Sequence, residues 1–307
     1  MPTLQEMAKK EGAFSGGHRM CAGCPVPIFC RMLTRVTDYE IVVGNATGCL
    51  EVASTIFPYS AWKVPWIHTA FENAAATMSG VEAMYRLYLR KNKKKQKIKF
   101  VIIGGDGGTY DIGLQSLSGA LERGHDFLYI CYDNGAYMNT GIQRSGATPL
   151  GAETTTSPVG EFSYGKRQHK KDLTSIILGH KIQYVAQASI HHIADLSEKI
   201  KKGIELEGPA FLNILAPCIP GWKIGPDQAV EAAALAVECR YWQLYEVENG
   251  KYKINYKPKK RIPLSEWLFM QGRFRHLKKA QWKSVVADLQ KEVDERWEIL
   301  LNREAAN

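Results

Sequence analysis

Five short runs along the chain are apolar almost without interruption: EIVVG at 40–44, KFVIIGG at 99–105, FLYICYD at 127–133, YVAQASI at 184–190 and FLNILAP at 211–217. A strand with one wet face alternates apolar and polar side chains, whereas a strand covered on both faces need not. The runs therefore predict a mostly parallel sheet with helices on both faces, an α/β fold. Helical spacing fills the intervals, at Pro27–Thr37, Glu72–Leu89, Ile112–Glu122, Leu173–Leu178, His192–Lys202 and Gln228–Tyr241. Gly225-Pro226-Asp227 makes a suitable starting turn for the last of these.

After Tyr241 the texture changes. A polar stretch rich in Lys and Tyr (ENGKYKINYKPKK) contains Asn249-Gly250, the signal of a type I′ hairpin, flanked by Tyr245 and Tyr252. Lys278–Leu300 then reads as one long amphipathic helix, with Trp282, Val286, Leu289, Val293, Trp297 and Leu300 at three- and four-residue spacing. The expectation is an α/β domain over 1–241 and a C-terminal helical extension over 242–307 that packs on the core or on a partner.

With 307 residues, 45% apolar and 23% charged, the chain is long enough for a substantial core. No apolar run approaches the roughly eighteen residues of a membrane span, and the first residues lack the features of a signal or transit peptide. A cytoplasmic protein without membrane insertion is expected. The net charge of +9 raises nucleic acid as a partner, but much of the excess lies in Lys91–Lys99, which reads as a solvated loop. The remainder clusters near Lys257–Arg261 and Arg273–Lys279, where it suits an acidic electron-carrier protein. Without an OB, KH or RRM pattern, nucleic acid is set aside as a partner, and a zinc-stabilised basic scaffold stays as the remote alternative.

Chemistry enters at Gly105-Asp106-Gly107-Gly108, which directly follows a predicted strand. The next strand ends in YDNGAYMNTG. A carboxylate at one strand end and an amide oxygen at the next can converge on a hard cation, while glycines let backbone N–H groups approach phosphates. Asp106, Asn134 and the carbonyl of Ala136 are the Mg²⁺ ligands this frame suggests. The cysteines add a second feature. Cys21 and Cys24 form a C-x₂-C pair, and Cys49 and Cys218 sit in loops after strands. Four such thiolates suit a [4Fe–4S] cluster or a structural zinc, and spacing alone does not separate them. Cys30, Cys131 and Cys239 lie in apolar patterns and read as buried small hydrophobes.

The stretches HRMCAGCP, GNATGCLEV, VPWIHTAFENAAATMSG, GGDGGTYDIGLQSLSGALERGHD, YDNGAYMNTGIQRS and APCIPGW, in this order, resemble the β subunit of the pyruvate:ferredoxin oxidoreductase group over most of the chain. The resemblance implies thiamine diphosphate at an interface of two chains, companion subunits of the α, γ and δ type, and electrons leaving through iron–sulfur clusters to ferredoxin. It implies oxidative decarboxylation of pyruvate with coenzyme A to acetyl-CoA and CO₂, or the reverse, with branched-chain 2-oxoacids or oxalate as alternative substrates. Carried over by residue, Cys21, Cys24, Cys49 and Cys218 match the ligands of the cluster nearest the cofactor. Gly105, Asp106, Gly107, Asn134 and Ala136 match the diphosphate and Mg²⁺ site. Asn139 matches a catalytic asparagine near the substrate, and Thr140 and Gly141 continue that motif at the cofactor. Pro25 departs from the glycine common after the second cysteine and removes an N–H that a cluster sulfur could accept.

The carboxylate that activates the aminopyrimidine resembles a contribution from a companion chain, with Glu51 and Glu72 as local alternatives. His18 and His68 are candidates for acid–base work, while His191 and His192 read as structural. Trp62, Trp66 and Phe71 read as core packing or as walls of a cofactor pocket, and Arg144 as a surface residue or a partner for a second substrate carboxylate.

Overall fold

The computed structural model describes residues 3–93 and 98–307. Eight strands form one sheet: β1 Glu40–Ala46, β2 Trp66–Thr69, β3 Ile98–Gly105, β4 Phe127–Asp133, β5 Tyr184–Ser189, β6 Ala210–Leu215, β7 Tyr245–Glu248 and β8 Lys251–Ile254. Their spatial order is β2-β1-β3-β4-β6-β5-β7-β8. The first six are parallel, and β7 and β8 join antiparallel at one edge. The helices are α1 Leu4–Lys9, α2 Val26–Met32, α3 Cys49–Ser54, α4 Ala74–Asn92, α5 Leu114–Glu122, α6 Leu173–Leu178, α7 Ile193–Glu205, α8 Ile219–Trp222, α9 Ala229–Glu238, α10 Leu264–Met270 and α11 Lys283–Ala305.

Continuous apolarity of the central strands has its expected cause. Phe100, Ile102, Phe127, Tyr129, Cys131, Val185 and Phe211 face the layer containing α4, α5 and α6. Val101, Ile103, Leu128, Ile130, Ala186, Leu212 and Ile214 face the other, with α2, α7, α9, α10 and α11. Successive residues of one strand thus serve opposite cores. In α7 the four-residue spacing of Leu196, Ile200 and Ile204 makes one buried stripe. Each such side chain contributes about 1.5–3 kcal/mol on leaving water.

Several expectations shift. β2 has no counterpart among the predicted strands, because four residues of mixed exposure carry little pattern. The segment after Asp106 is not yet α-helix but a single π turn over Gly107–Asp111, and α5 starts at Leu114. Such turns concentrate at functional sites. The long C-terminal helix starts later than expected, at Lys283, after two 3₁₀ segments over Gly272–Lys278 and Ala280–Trp282. Its buried stripe is Val285, Leu289, Val293, Trp297 and Leu300, so Val285 stands where Val286 is expected. The Asn249-Gly250 hairpin forms as expected, with positive φ at both residues, and stacks Tyr245 on Tyr252.

The basic block divides. Lys91 ends in α4, residues 94–97 lie outside the described residues, and Lys99 is not solvated but buried in β3. Its ammonium donates to Asp126 and to the carbonyls of Leu206 at 2.5 Å and Gly208 at 3.3 Å. Among the described residues, no helix is long and apolar enough to cross a membrane.

Candidate functional site

In a parallel sheet ligands meet the carboxyl ends of the strands where the strand order reverses. Here β1 runs into Thr47-Gly48-Cys49, β3 into Asp106, β4 into Asn134 and β6 into Ala216-Pro217-Cys218, all at that edge. Two cavities open there. One, of about 110 Å³, is lined by residues including Gly105, Asp106, Gly107, Asn134, Ala136 and Thr140. The other, of about 240 Å³, is lined by residues including Cys21, Cys24, Cys49 and Cys218. Cys49, Tyr132, Asn134 and Asn139 line both, so the cavities share a wall.

The first cavity gathers oxygen. The terminal amide atom of Asn134 that faces the loop lies 2.8 Å from Asp106 Oδ1 and 2.9 Å from the Ala136 carbonyl oxygen. With nitrogen in that place the amide donates to both. With oxygen there, it lies from each of the other two oxygens at the edge length of an octahedron whose metal–oxygen distance is about 2.0–2.1 Å, which is about 2.8–3.0 Å. The donor set therefore fits Mg²⁺. Asp106 is held from behind, where Ser145 Oγ donates to Oδ2 at 2.5 Å and the Asn134 N–H donates to Oδ1 at 3.3 Å. Burial, and after it the nearby Asp133, pushes the Asp106 carboxyl up to about 7. Asp133 accepts from Tyr110 at 2.6 Å and from Lys170, and Asn213 donates to the Tyr110 oxygen at 2.9 Å.

Backbone geometry closes this loop. A Cβ on Gly107 would fall 2.2 Å from the Tyr137 ring, so only glycine admits the approach. Tyr137 in turn meets the edge of Phe71 and donates to Asp111 at 3.0 Å.

The cysteine cavity is assembled from distant parts of the chain. The Cys21–Cys24 turn closes with the Cys24 N–H donating to the Cys21 carbonyl at 3.0 Å. Gly23 has φ +78, and a Cβ there would lie 1.9 Å from the carbonyl oxygen of Pro226, which fixes the turn against the loop preceding α9. Burial pushes the Cys24 and Cys49 thiols up to about 12 and Cys218 up to about 11. The Val26 N–H at Cys24 and the Gly221 N–H at Cys218 act in the opposite direction by hydrogen bonding to sulfur. The N–H lost at Pro25 is thus replaced by that of the following residue. Among the described residues, no three His, Cys, Asp or Glu side chains are grouped closely enough to hold a single metal ion.

The profile described as "Thiamine pyrophosphate enzyme, C-terminal TPP binding domain" matches residues 46–214, from the end of β1 into β6. The chain is 52% identical over 306 residues to pyruvate synthase subunit PorB of Thermotoga maritima, covering 98% of this chain and 94% of that protein. The chain belongs to the PorB family of thiamine pyrophosphate enzymes. The subunit PorB of Methanocaldococcus jannaschii is 51% identical, over 95% of this chain and 97% of its own. Ketoisovalerate oxidoreductase subunit VorB of Pyrococcus abyssi is 44% identical, over 94% of this chain and 93% of its own. A 2-oxoglutarate:ferredoxin oxidoreductase structure from Magnetococcus marinus, with 2-oxoglutarate, coenzyme A and succinyl-CoA bound, shares the fold at TM-score 0.53. Its sequence identity is 22%, over 70% of this chain and 76% of its own.

Other residues singled out in this PorB-family chain fall in varied places. Asn139 and Thr140 line the first cavity, whereas Gly141 lies outside both linings and shapes the adjoining turn, its N–H donating to Met138 O at 3.3 Å. Phe71 walls the first cavity, while Trp62 packs in the core beside Trp66. His68 contacts Thr47 at 2.7 Å and Glu51 at 3.8 Å, and His18 stacks on Phe14, and neither lines a cavity. His192 caps α7 beside His191. Arg144 is exposed, and Cys30, Cys131 and Cys239 are buried.

Four contributors escape sequence reasoning. Ser145 braces Asp106, and Tyr132 lies in the shared wall. Trp222 donates to the Asn134 carbonyl at 2.7 Å, and Arg273 lies over the Trp222 ring, 4.1 Å from its centroid. Ser145 and Trp222 belong to the IQRS and APCIPGW stretches and could have been flagged from them; Arg273 carries no such mark.

Proposed function

We propose that this chain is the thiamine diphosphate-binding subunit of a 2-oxoacid:ferredoxin oxidoreductase that acts on pyruvate and coenzyme A, interconverting them with acetyl-CoA, CO₂ and reduced ferredoxin. The observation that carries the reading is the wall shared by the oxygen-lined cavity and the four-cysteine cavity. A cofactor that gathers electrons and a cluster that removes them would then be separated by little more than Cys49, Tyr132, Asn134 and Asn139.

In this reading Asp106, Asn134 and Ala136 hold Mg²⁺, and Gly105 and Gly107 let the backbone approach the diphosphate. Thiamine diphosphate, when bound, supplies a nucleophilic carbon that makes loss of CO₂ from a 2-oxoacid feasible. Phe71 and Tyr137 limit water in the cavity, Asn139 faces substrate as a hydrogen-bonding residue, and Thr140 and Gly141 hold the loop that carries it. Mg²⁺ supplies the positive charge that keeps the buried Asp106 ionised. Cys21, Cys24, Cys49 and Cys218 ligate a [4Fe–4S] cluster. Tetrahedral zinc, with sulfurs at about 2.3 Å from the metal, would require the thiols to be gathered on one point, whereas here they surround a cavity. Companion α, γ and δ-type chains complete the site and pass electrons on to ferredoxin.

The test is the anaerobic visible absorbance of the purified complex before and after pyruvate and coenzyme A. Bleaching of a broad iron–sulfur band is the expected result; a colourless complex kept free of oxygen overturns the cluster. Because the VorB relative is also similar over nearly the whole chain, ketoisovalerate is the second substrate to add. Bleaching by it alone would move the assignment to branched-chain 2-oxoacids.

A further inference from the structure

Behind the wall shared by the two cavities lies a cation that the sequence reading places in a basic cluster suited to an acidic carrier protein, and that the fold instead buries. Arg273, in the 3₁₀ segment Gly272–Lys278, is only 2% exposed. Its guanidinium lies 4.1 Å from the centroid of the Trp222 ring and 5.1 Å from that of Phe274, and its Nε donates to Gln271 Oε1 at 2.9 Å. None of the ion pairs among the described residues includes it. A cation taken out of water without a carboxylate in contact is costly, so it is retained where anionic charge is supplied nearby.

The surroundings identify that charge. Trp222, against which Arg273 stacks, belongs to α8, the short helix capped by Cys218, and its N–H donates to the Cys218 carbonyl at 2.8 Å. The indole of the same Trp222 donates to the Asn134 carbonyl at 2.7 Å. A Cβ on Gly135, the next residue, would fall 3.0 Å from Arg273 Nη1. One guanidinium therefore backs both the loop of a cluster cysteine and the loop of the Mg²⁺ site. Burial lowers its pKa to about 10, which leaves it charged at neutral pH, and Tyr241, then Cys218, Asp133 and Asp106, favour the charged form.

We infer that Arg273 is the fixed positive charge of the redox site, a positioning residue that raises the reduction potential of the cluster held by Cys21, Cys24, Cys49 and Cys218. The inference rests on the cluster reading given above. A cluster that takes up one electron gains one negative charge, and a buried cation stabilises that reduced form more than the oxidised one. Gln271 holds the guanidinium over Trp222 without neutralising it.

The experiment is an anaerobic potentiometric titration of the assembled complex with dithionite, following the EPR signals of the reduced clusters. Arg273→Met should shift the midpoint of one cluster to lower potential, and Arg273→Lys, which keeps the charge, should stay close to the parent. Gln271→Glu is nearly isosteric and places a carboxylate against the guanidinium, so it should shift the same cluster in the same direction without a change in packing. An unchanged midpoint in a Gln271→Glu complex that retains its iron overturns the inference, also where Arg273→Met fails to assemble. A parent complex with no signal from a cluster dependent on Cys218, compared with Cys218→Ala, overturns the cluster reading and this inference together.

Discussion

The site depends on atoms that must approach to within a few tenths of an ångström, and single substitutions separate their roles. Gly107→Ala would put a methyl group 2.2 Å from the Tyr137 ring at the turn proposed to meet the diphosphate. Overlap on that scale moves the loop, so the variant should fold yet lose thiamine diphosphate, assayed as cofactor released per chain on denaturation. Retention of full cofactor would mean that Tyr137 yields and that the close approach is incidental. Asn134→Leu removes the amide atom set 2.8 Å from Asp106 Oδ1 and 2.9 Å from the Ala136 carbonyl oxygen. Its apparent Mg²⁺ affinity should fall by at least about tenfold, since even outer-shell changes at metal sites cost about 10–100-fold. Titration of cofactor binding against Mg²⁺ reads this directly; an unaltered curve would show that the amide places nitrogen toward the loop. Asp106 and Asn134 were legible in the sequence because the chemistry demands oxygen at two strand ends. Ser145 lies in a stretch the sequence singles out, but its bond to Asp106 was not legible, because it joins segments brought together only by the fold.

Elements carry the site by where they end. Gly23→Ala would drive a Cβ to 1.9 Å from the Pro226 carbonyl oxygen and force apart the Cys21–Cys24 turn and the loop before α9. Iron per chain should drop while far-UV circular dichroism stays unchanged, because the turn lies outside the sheet. At the opposite edge, β7 is fastened by Glu246. Its carboxylate is 4% exposed and accepts from Lys202 at 2.9 Å and Tyr184 at 2.9 Å. Burial alone would raise its pKa, but Lys202, Tyr184 and Asn255 outweigh it and hold the carboxyl at about 2, against an ordinary value of 4.5. The stability it contributes is therefore present above pH 4.5 and is lost as the pH falls through about 2. Glu246→Gln should cost about 1–3 kcal/mol at pH 7, the usual penalty for spoiling a buried charged hydrogen-bond set. Urea midpoints of the two proteins should converge as the pH falls below 4.5; a constant gap would assign the loss to shape rather than charge. The central strands were legible for the reason given by their burial on both faces. β2 and the π turn after Asp106 were not, because a four-residue half-exposed strand and a Gly-rich turn carry no periodicity.

At the scale of the whole molecule, topology brings residues 21 to 218 to one edge of the sheet, and the C-terminal segment supplies Arg273 from behind. That last placement was illegible because an arginine in the basic run RFRHLKK reads as part of a charged surface cluster, and only packing on Trp222 distinguishes it. One requirement of the proposed chemistry is met by none of the described residues that line the first cavity. The first cavity is lined by a single carboxylate, Asp106, which is already turned toward Asn134 and Ala136. Glu51 lies near His68 and Glu72 is exposed, and neither reaches the lining. On the proposed function, the carboxylate that activates the aminopyrimidine is expected from a companion chain. Exchange of the thiazolium C2 proton for deuterium, followed by NMR with this chain, Mg²⁺ and thiamine diphosphate, should run no faster than in free cofactor. Adding the companion subunits should accelerate it by at least about a hundredfold, the lower end of what a positioned acid–base group provides. Fast exchange on the chain alone would place the activating carboxylate here after all, and paired Glu51→Gln and Glu72→Gln variants would then show which of the two moves into the cavity when the cofactor binds.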